Sequence, residues 1–429
     1  MRLDELTGRR VVVLGLGADV RSALDVIVGC GPADVRAVEA DPTAWASTDL
    51  PVVSLAAAAA DGEVFVRSPG FPRYQAPLIE ALERGALMTT PLDLWLGTLG
   101  STRTVVAITG TKGKSTVTSL VAVLAEQVGL RVGVAGNLGI PVFGSDWDHD
   151  APVIVLEVSS YQAADLHHVP DIAVLTFLSE DHLSWHGGVD RYVADKLRVI
   201  HNDGRTASRV LVPASGGGRA MEALSELGSR LGFRLPVEAV VAPTDVDPTI
   251  PVHRLQNAAL AAAVVSSLSG QPLSDAEVIA AARTTLPGRL DVCPGPAGLL
   301  CIDDALASNP SAAAAGLAWL RTLGLPTVIL LGGHDRGVDS GPLAAEARQW
   351  PAGMLRAVAL PDSGRELADR CGIEVLAQSL NVELAVDLAL AALDGDGVVI
   401  LSPGAPTPSS VGNWETRSNQ FRSALEARA

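Results

Sequence analysis

The sequence has few cysteines and few aromatic residues, and it lacks any apolar stretch of membrane-spanning length. Its cysteines, Cys30, Cys293, Cys301 and Cys371, form no CxxC pair and no zinc-ligand spacing, so they favour free thiols in a reducing compartment. The longest apolar runs, such as 258–265, fall far short of the about 20 residues that span a bilayer. The N-terminus has no apolar core of the signal-peptide kind. We therefore expect a soluble, cytoplasmic protein without membrane insertion.

Positive charge is also scarce. The 429 residues include 32 Lys and Arg against 48 Asp and Glu, which gives a net charge of −16. Nucleic-acid and anionic-membrane binders need clustered basic residues, so this balance argues against both classes of protein. A local basic pocket for a small phosphorylated ligand remains compatible with it. Hydrophobic residues make up 48% of the chain, which is enough to form large cores.

Three successive segments share one order: a β-rich apolar run, a glycine or polar turn, and then a helical pattern. This order is typical of parallel sheets in α/β proteins. The length and the Gly/Pro clusters predict three domains: an N-terminal Rossmann-like domain at 1–100, a central P-loop ATPase-type domain with a parallel sheet at 101–285, and a C-terminal Rossmann-like domain at 286–429. We expect the chain to act as a monomer.

The stretch AITGTKGKST at 107–116 has the end of a phosphate-binding loop but lacks the first glycine. The usual pattern is G-x-x-x-x-G-K-[ST], and Ile108 stands where that glycine belongs. A predicted strand ends at Ile108 and a predicted helix begins near Ser115, which is the required context. Lys114 would pair with the β- and γ-phosphates of a nucleotide, and Ser115 would bind Mg²⁺. The predicted ATP contacts in this loop are Gly110, Thr111, Lys112, Gly113, Lys114, Ser115 and Thr116.

Further polar residues follow predicted strands of the central segment. Glu157 ends the run VIVLE, and its position suits a direct or indirect Mg²⁺ ligand. His182 follows the next strand and could bind a second divalent ion. Open α/β sheets bind ligands at this edge, so Lys114, Glu157 and His182 are expected to meet there. Lys196 lies in a predicted helix whose basic residues could form a solvated face, and Asn257 could be either a helix-packing amide or an adenine contact.

In the third segment, polar residues again follow predicted strands. Asp304 follows the first strand, the GGHDRG stretch follows the second, and Ser402 follows the last. Arg336 is the best candidate to bind a carboxylate, because its planar guanidinium allows bidentate pairing.

The order of these motifs resembles that of the Mur ligases, the ATP-dependent amide-forming enzymes of peptidoglycan precursor synthesis. TGTKGKST is similar to the family's shortened phosphate loop, in which the first glycine is absent. Further blocks resemble family blocks in the right order from about residue 11 to the C-terminus: GNLGIP, LEVSSYQ, EDHLSWHGG, YVADK, LQNAALAA and LPGRLDV. The blocks EVSSYQ and LSPGAPTPSSVGNWETRSNQF are similar to those of the branch that adds glutamate.

The resemblance implies a reaction and a role for each matching residue. The reaction would join glutamate to UDP-N-acetylmuramoyl-L-alanine through an acyl phosphate, using ATP and two Mg²⁺. Lys114, His182 and Lys196 would be catalytic, and Lys196 would be carbamylated by CO₂. The implied metal ligands are Ser115, Glu157, His182 and carbamylated Lys196. The implied nucleotide contacts outside the loop are Asn257, Arg289 and Asp304. The implied contacts to the UDP-muramoyl substrate and glutamate are Ser68, Gly70, Asn137, Ser159, Gln162, Ser308, Arg336, Ser402 and Trp414.

The departures from the family pattern lie around the implied glutamate pocket. Leu306 and Ser308 replace a lysine and a threonine, Arg336 replaces the carboxylate-binding lysine, and Trp414 stands near the usual aromatic position. These features slightly favour L-glutamate over D-glutamate as the substrate. Three alternatives remain open: a Mur-like or folylpolyglutamate-type ligase for another substrate, a P-loop kinase or motor ATPase, and a binding protein that has lost catalysis.

Overall fold

The computed structural model describes residues 1–39, 50–244, 246, 250–284, 287–335 and 338–428. It divides into two compact units, Met1–Asp245 with His253–Ala281, and Val246–Val252 with Ala282–Ala429. The first unit contains a four-stranded sheet, a six-stranded sheet and a short two-stranded ribbon, and the second contains one six-stranded sheet. The predicted limits of three domains stay a prediction.

The four-stranded sheet is parallel throughout and has the order β2-β1-β3-β4. Its strands are β1 (Arg10–Leu14), β2 (Asp34–Val38), β3 (Val64–Arg67) and β4 (Leu87–Thr89). The central strands are buried on both faces, which explains why residues 11–14 of β1 and 64–66 of β3 are continuous apolar runs rather than alternating ones. The accompanying helices are α1 (Ala18–Gly29), α2 (Leu55–Asp61), α3 (Ala76–Glu83) and α4 (Pro91–Thr98), with short 3₁₀ turns at Leu3–Leu6 and Gly100–Thr102.

The six-stranded sheet of the first unit is also parallel and has the order β12-β11-β8-β5-β7-β6. Its strands are β5 (Thr104–Thr109), β6 (Val132–Gly136), β7 (Val153–Glu157), β8 (Ile172–Leu175), β11 (Arg209–Pro213) and β12 (Val237–Val240), and the separate ribbon is β9 (His201–Asn202) with β10 (Arg205–Thr206). Strand β5 lies between β7 and β8, and Ile108 is in register with both Glu157 and Val174. The carboxyl ends of the three strands therefore meet at one edge of the sheet.

The helices around this sheet are α5 (Lys114–Gln127), α6 (Ser160–Ala163), α7 (Leu183–His186), α8 (Val189–Leu197), α9 (Ala220–Leu231), α10 (Val252–Ser269) and α11 (Asp275–Arg283). Helix α5 begins directly after the glycine loop and is buried along one face. Helix α10 buries many small side chains, as its alanine-rich sequence predicts.

The sheet of the second unit has the order β13-β14-β18-β15-β16-β17 and is parallel except for β13. Its strands are β13 (Asp291–Cys293), β14 (Leu299–Asp303), β15 (Thr327–Leu331), β16 (Leu355–Ala359), β17 (Glu374–Gln378) and β18 (Gly397–Leu401). Its helices are α12 (Pro310–Arg321), α13 (Gly341–Ala347), α14 (Gly364–Cys371), α15 (Val382–Leu393) and α16 (Trp414–Glu426). Across the described part of the chain, no helix is long and apolar enough to cross a membrane.

Candidate active site

The loop between β5 and α5 has the geometry of an anion-binding turn. Gly113, the N-cap residue of α5, has a φ of 89° and no side chain that could cap this helix. Amide groups at a helix N-terminus favour a phosphate, because their hydrogens and the helix dipole present positive charge. Residues 112–116 are half-buried, so the loop is held in place yet reachable from solvent.

Both loop glycines lie too close to neighbouring elements to carry a side chain. A Cβ atom at Gly110 would stand 2.0 Å from Oγ1 of Thr176, at the end of β8. A Cβ atom at Gly113 would stand 2.7 Å from Oδ1 of Asn257, on α10. Asn257, a predicted nucleotide contact, therefore lies directly beside the phosphate loop.

Two lysines converge on one backbone carbonyl of the loop. The Nζ atoms of Lys114 and Lys196 lie 3.1 and 2.8 Å from the carbonyl oxygen of Gly110. Lys196 is only 2% exposed, so the interpretation of this residue as part of a solvated face is wrong. Burial lowers the pKa of the Lys196 ammonium well below its usual value, and the charge of Lys114 lowers it further. The site therefore favours a neutral amine at Lys196.

The carboxylate of Glu157 lies at the end of β7 and is 2% exposed. Its Oε1 accepts a hydrogen bond of 2.8 Å from Nδ2 of Asn137, a residue predicted to contact the substrate. Its Oε2 is buried and has no hydrogen-bond partner among the described residues. An ionised oxygen in the interior needs a donor or a cation, so this orphaned atom fits a metal ligand.

His182 follows β8, and its φ of 51° lies in the left-handed region. Its Nδ1 lies 2.8 Å from the hydroxyl oxygen of Tyr161, whose ring packs against the imidazole. Burial lowers the pKa of His182, while Asp181 acts in the opposite direction. The neutral imidazole is the form that binds a metal. Within the described residues, no group of three or more His, Cys, Asp and Glu side chains is arranged to hold an ion, so Glu157 and His182 would need other ligands.

The predicted muramoyl contacts Ser159 and Gln162 form a capping box at the start of α6. Gln162 also donates a hydrogen bond of 2.8 Å from Nε2 to Asp19, at the start of α1. Ser68 packs against the turn after β1, because a Cβ atom at Gly17 would stand 2.3 Å from its Oγ. The hydrogen bond between Gln162 and Asp19 therefore links α6 with α1, which accompany different sheets of the first unit. Gly70 has open space around it.

In the second unit, Asp304 follows β14 and is almost fully buried. Its carboxylate accepts hydrogen bonds from Oγ of Ser402 at 2.8 Å and from the backbone N–H of Leu290 at 3.2 Å. Burial raises the pKa of Asp304 to about 7, although those two hydrogen bonds oppose the shift. Ser402 is likewise buried and is held by Asp304.

The other predicted residues of the second unit are more accessible. Ser308 is exposed just before α12, and Arg289 is half-buried. Trp414 begins α16 and lies against the turn at Gly288. Arg336, the predicted carboxylate-binding residue, lies outside the described residues.

Residues 108–215 match the family model described as the Mur ligase middle domain. A UDP-N-acetylmuramoyl-L-alanine–L-glutamate ligase from a Micromonospora species is 34% identical over 460 aligned positions, which cover 99% of this chain and 98% of that protein. The chain belongs to the Mur ligase family. A ligase of the same name from Salinispora tropica is 33% identical, and the alignment covers 99% of this chain and 99% of that protein. The ligase of the same name from Xanthomonas oryzae pv. oryzae is 31% identical, and the alignment covers 98% of this chain and 96% of that protein.

Solved Mur ligase structures share the fold of this chain. The MurF ligase of Thermotoga maritima in complex with ADP superposes with a TM-score of 0.56 at 17% identity, covering 100% of this chain and 97% of that one. The UDP-N-acetylmuramate-alanine ligase MurC of the same organism superposes with a TM-score of 0.55 at 17% identity, covering 98% of this chain and 99% of that one. The predicted α/β fold class is confirmed.

This Mur ligase also contains a buried ionic cluster that sequence reasoning missed. Arg67, at the end of β3, donates from Nε to Asp165 at 2.7 Å, and Arg73 donates to the other carboxylate oxygen at 2.5 Å. Arg67 also donates to the backbone oxygens of Pro69 and Tyr161. The cluster ties the loop that carries Ser68 and Gly70 to the segment after α6. The one sequence signal for this cluster was Arg67, which stands directly before Ser-Pro-Gly.

A second missed network lies beside the same loop in this Mur ligase. Asp195 accepts hydrogen bonds of 2.6 Å from the hydroxyl of Tyr74 and from Nδ1 of His186. Nε2 of His186 lies 3.0 Å from the hydroxyl oxygen of Ser160. These hydrogen bonds hold Asp195, the residue directly before Lys196, in place.

Proposed function

We propose that this chain is an ATP-dependent ligase that joins L-glutamate to the alanine carboxylate of UDP-N-acetylmuramoyl-L-alanine. The observation that carries the proposal is the match of almost the whole chain to ligases that bear this name. The arrangement of Lys114, Lys196 and Glu157 around the phosphate loop supports an enzyme rather than a protein that only binds these ligands. We further infer that it works in the cytoplasm as a monomer.

The reaction would proceed through two bond exchanges. An oxygen of the alanine carboxylate forms a bond to the γ-phosphorus of ATP while the bond to ADP breaks, which gives an acyl phosphate. The amine of glutamate then attacks the acyl carbon, phosphate leaves, and the nitrogen loses a proton. Lys114 and the amides at the start of α5 would hold the phosphate oxygens and offset their growing negative charge. Asn257, Arg289 and Asp304 would bind the rest of the nucleotide.

The ligands proposed for two Mg²⁺ are Ser115, Glu157, His182 and carbamylated Lys196. The unpaired Oε2 of Glu157 and the neutral imidazole of His182 fit this role. When bound, the ions would supply Lewis-acid charge that neutralises the phosphate oxygens. Asn137 would orient Glu157 through its hydrogen bond to Oε1, as outer partners of metal ligands commonly do.

Carbamylation of Lys196 is supported by its environment. A neutral amine can attack CO₂, forming an N–C bond and losing a proton, and burial keeps the pKa of Lys196 low. The product is an anion where the site would otherwise hold a neutral amine, so it can bind a metal ion that offsets its charge. This change would convert Lys196 from a competitor of the metal ions into one of their ligands.

The remaining predicted substrate residues divide between the two ends of the product. Ser68 and Gly70 would contact the uridine diphosphate, and Ser159 and Gln162 the muramoyl group. Ser308, Arg336, Ser402 and Trp414 would form or support the glutamate pocket. The departures from the family pattern at this pocket, together with the relatives' names, favour L-glutamate over D-glutamate.

The test is phosphate release by the purified chain with ATP, Mg²⁺ and UDP-N-acetylmuramoyl-L-alanine, comparing the two glutamate enantiomers. We expect release that depends on L-glutamate. Release with D-glutamate alone would assign the ordinary D-adding activity, and release with neither would refute glutamate addition. Lys114→Ala should lower the turnover by about 100-fold or more while leaving binding of the muramoyl substrate intact.

A further inference from the structure

A small aromatic cluster lies beside His182 at the carboxyl edge of the six-stranded sheet of the first unit. It consists of Tyr161 in α6, which follows β7, and of Trp185 and His186 in α7, which follows β8. The ring centroid of Tyr161 lies 4.8 Å from that of Trp185 and 5.8 Å from that of His186, whose ring is nearly parallel to it. The cluster therefore packs together the two segments that directly follow Glu157 and His182.

Tyr161 is held in place by groups other than His182. Its backbone oxygen accepts a hydrogen bond of 2.5 Å from Nη2 of Arg67, the fully buried arginine of the ionic cluster. Its ring rests against His186, which is inaccessible to water and whose Nδ1 lies 2.6 Å from a carboxylate oxygen of Asp195. Because the phenolic oxygen lies in the plane of the ring, a fixed backbone and a fixed ring fix that oxygen as well.

The imidazole of His182 has less support of its own. The residue precedes α7 in the left-handed region, with a φ of 51°, and its side chain is 42% exposed. Its Nδ1 lies 2.8 Å from the hydroxyl oxygen of Tyr161, which is the length of a hydrogen bond, whereas its Nε2 lies 3.8 Å from Oδ2 of Asp181, which is too long for one. Among the described residues, the hydroxyl of Tyr161 is thus the hydrogen-bond partner that orients this ring.

This pattern of contacts suits one form of the neutral imidazole. A neutral ring has one protonated nitrogen and one with a free lone pair, and only the second can bind a cation. When Nδ1 of His182 carries the proton, it donates to the hydroxyl oxygen of Tyr161, and the lone pair of Nε2 is free for an ion. A hydrogen-bond partner on the far nitrogen of a metal-binding histidine commonly changes the affinity for the ion by about 10- to 100-fold.

We propose that Tyr161 is a positioning residue for the divalent cation: its hydroxyl fixes the ring and the proton of His182 so that the lone pair of Nε2 is available to the ion. This inference rests on the proposed function, in which His182 is a metal ligand, and it adds a residue that the sequence patterns did not indicate. The buried ionic cluster gains a role as well, because Arg67 holds the backbone of Tyr161.

The experiment compares Tyr161→Phe with the unchanged protein, because this change removes one oxygen atom and keeps the ring. The affinity for Mn²⁺ in the presence of ADP, measured from the electron paramagnetic resonance of the free ion, should fall about 10-fold. In the phosphate-release assay, the Mg²⁺ concentration that gives half-maximal turnover should rise by about the same factor. Saturating Mg²⁺ should restore kcat, since excess ion refills a weakened site.

Nitrogen-15 spectra of histidine-labelled protein with ADP give a second readout that needs no turnover. At an Mg²⁺ concentration that saturates the unchanged protein, we expect the proton of its His182 on Nδ1 and a smaller fraction of this form in Tyr161→Phe. The signals of His182 are assigned by their absence from His182→Asn. Thr206→Val is the matched control, because it removes a hydroxyl that lies 2.7 Å from Nδ1 of His201 in the ribbon of β9 and β10; it should change none of these quantities.

Equal Mn²⁺ affinity in the two proteins would overturn the proposal, as would a loss of kcat that saturating Mg²⁺ does not restore. A His182 proton on Nε2 in the unchanged protein with the ion bound would overturn it too, and so would the absence of Mn²⁺ binding to that protein with ADP. These results are distinct from failure of the proposed function. If the unchanged protein forms no product with glutamate, the proposed function fails, and the Mn²⁺ titrations still decide the role of Tyr161.

Discussion

At the scale of single residues, two buried ionisable groups have pKa values shifted from their ordinary values. Lys196 lies in the first unit and Asp304 in the second, and each is nearly inaccessible to water. Burial disfavours the charged form of either group, so the pKa of the lysine is lowered and that of the aspartate is raised. Burial therefore favours the neutral form of both groups.

The raised pKa of Asp304 makes the stability of the protein depend on pH. The carboxyl keeps its proton in the folded state up to about pH 7, whereas its ordinary value is 3.8. The free energy of unfolding should therefore fall as the pH rises from 4 to 7, by at most about 4 kcal/mol from this group. Asp304→Asn has no carboxyl to titrate, so its free energy of unfolding should not fall in this way. The variant should therefore become more stable relative to the unchanged protein as the pH rises. Urea unfolding across this range measures the difference, and Asp362→Asn, at an exposed aspartate, should show none.

The lowered pKa of Lys196 predicts a carbamate that persists at moderately low pH. Protein incubated with ¹³C-labelled bicarbonate should show a carbamate carbon resonance that is absent from Lys196→Met. Acidification protonates the amine and should remove the signal, but only well below the pH at which an ordinary lysine amine becomes protonated. Absence of the resonance in the unchanged protein at pH 8 would contradict the proposed modification.

At the scale of elements, the phosphate loop depends on the close approach of its backbone to β8 and α10. Gly110 has a φ of 150°, and its missing side chain leaves room for Oγ1 of Thr176. The hydroxyl of Thr176 donates at 2.6 Å to the carbonyl oxygen of Lys112, which fixes the turn. The loop conformation is thus imposed by its neighbours as well as by its glycines.

Gly110→Ala should therefore displace the loop. The new methyl group would overlap the hydroxyl of Thr176, so we expect nucleotide affinity to fall at least about 10-fold and stability to fall by about 1–3 kcal/mol. Binding of a fluorescent nucleotide and urea unfolding measure the two effects. Gly29→Ala is the matched control, because that glycine is in α1 with open space around it; it should stabilise by about 0.5–1 kcal/mol. An unchanged affinity in Gly110→Ala would show that the loop does not bind nucleotide in this conformation.

At the scale of the whole molecule, the ionic cluster of Arg67, Asp165 and Arg73 links the two larger sheets of the first unit. Arg67 is fully buried and Asp165 is 1% exposed. Burial alone would raise the pKa of Asp165, but the two arginines outweigh it and hold that pKa below its usual value. The charges are paired across the two sheets, so removing one leaves the others uncompensated in the interior.

Asp165→Asn should cost about 3–5 kcal/mol of stability at neutral pH. Because the folded-state pKa is lowered, the contribution of Asp165 is present above its unfolded value of 3.8 and is lost as the pH falls through the lower folded value. The difference between the variant and the unchanged protein, measured by urea unfolding, should therefore shrink below pH 4. Asp369→Asn removes an exposed ion pair and should change the stability by no more than about 1 kcal/mol. An equally small effect of Asp165→Asn would refute the structural role of the cluster.

Much of the fold and part of the site were predictable from local signals. The apolar run before 107–116 and the helical pattern after it defined β5, the loop and α5, since each signal depends only on neighbouring residues. The placement of Glu157 after β7 and of His182 after β8, the two strands that flank β5, followed from the rule that parallel strands end at one edge. Their roles, like those of the other site residues, stay predictions.

The sequence by itself determined the α/β architecture, the phosphate loop and the family resemblance, because periodicity, glycine turns and ordered motifs are properties of short segments. Only the tertiary structure decided that Lys196 is buried, that Arg67 meets Asp165 and that Tyr161 contacts His182. Burial and ion pairing join residues far apart in the chain, and a charged residue in a helical pattern looks the same whether it faces water or the interior. The chemistry of this protein depends on burial and ion pairing, because solvent exposure and charged neighbours set the pKa of a side chain and determine its partners.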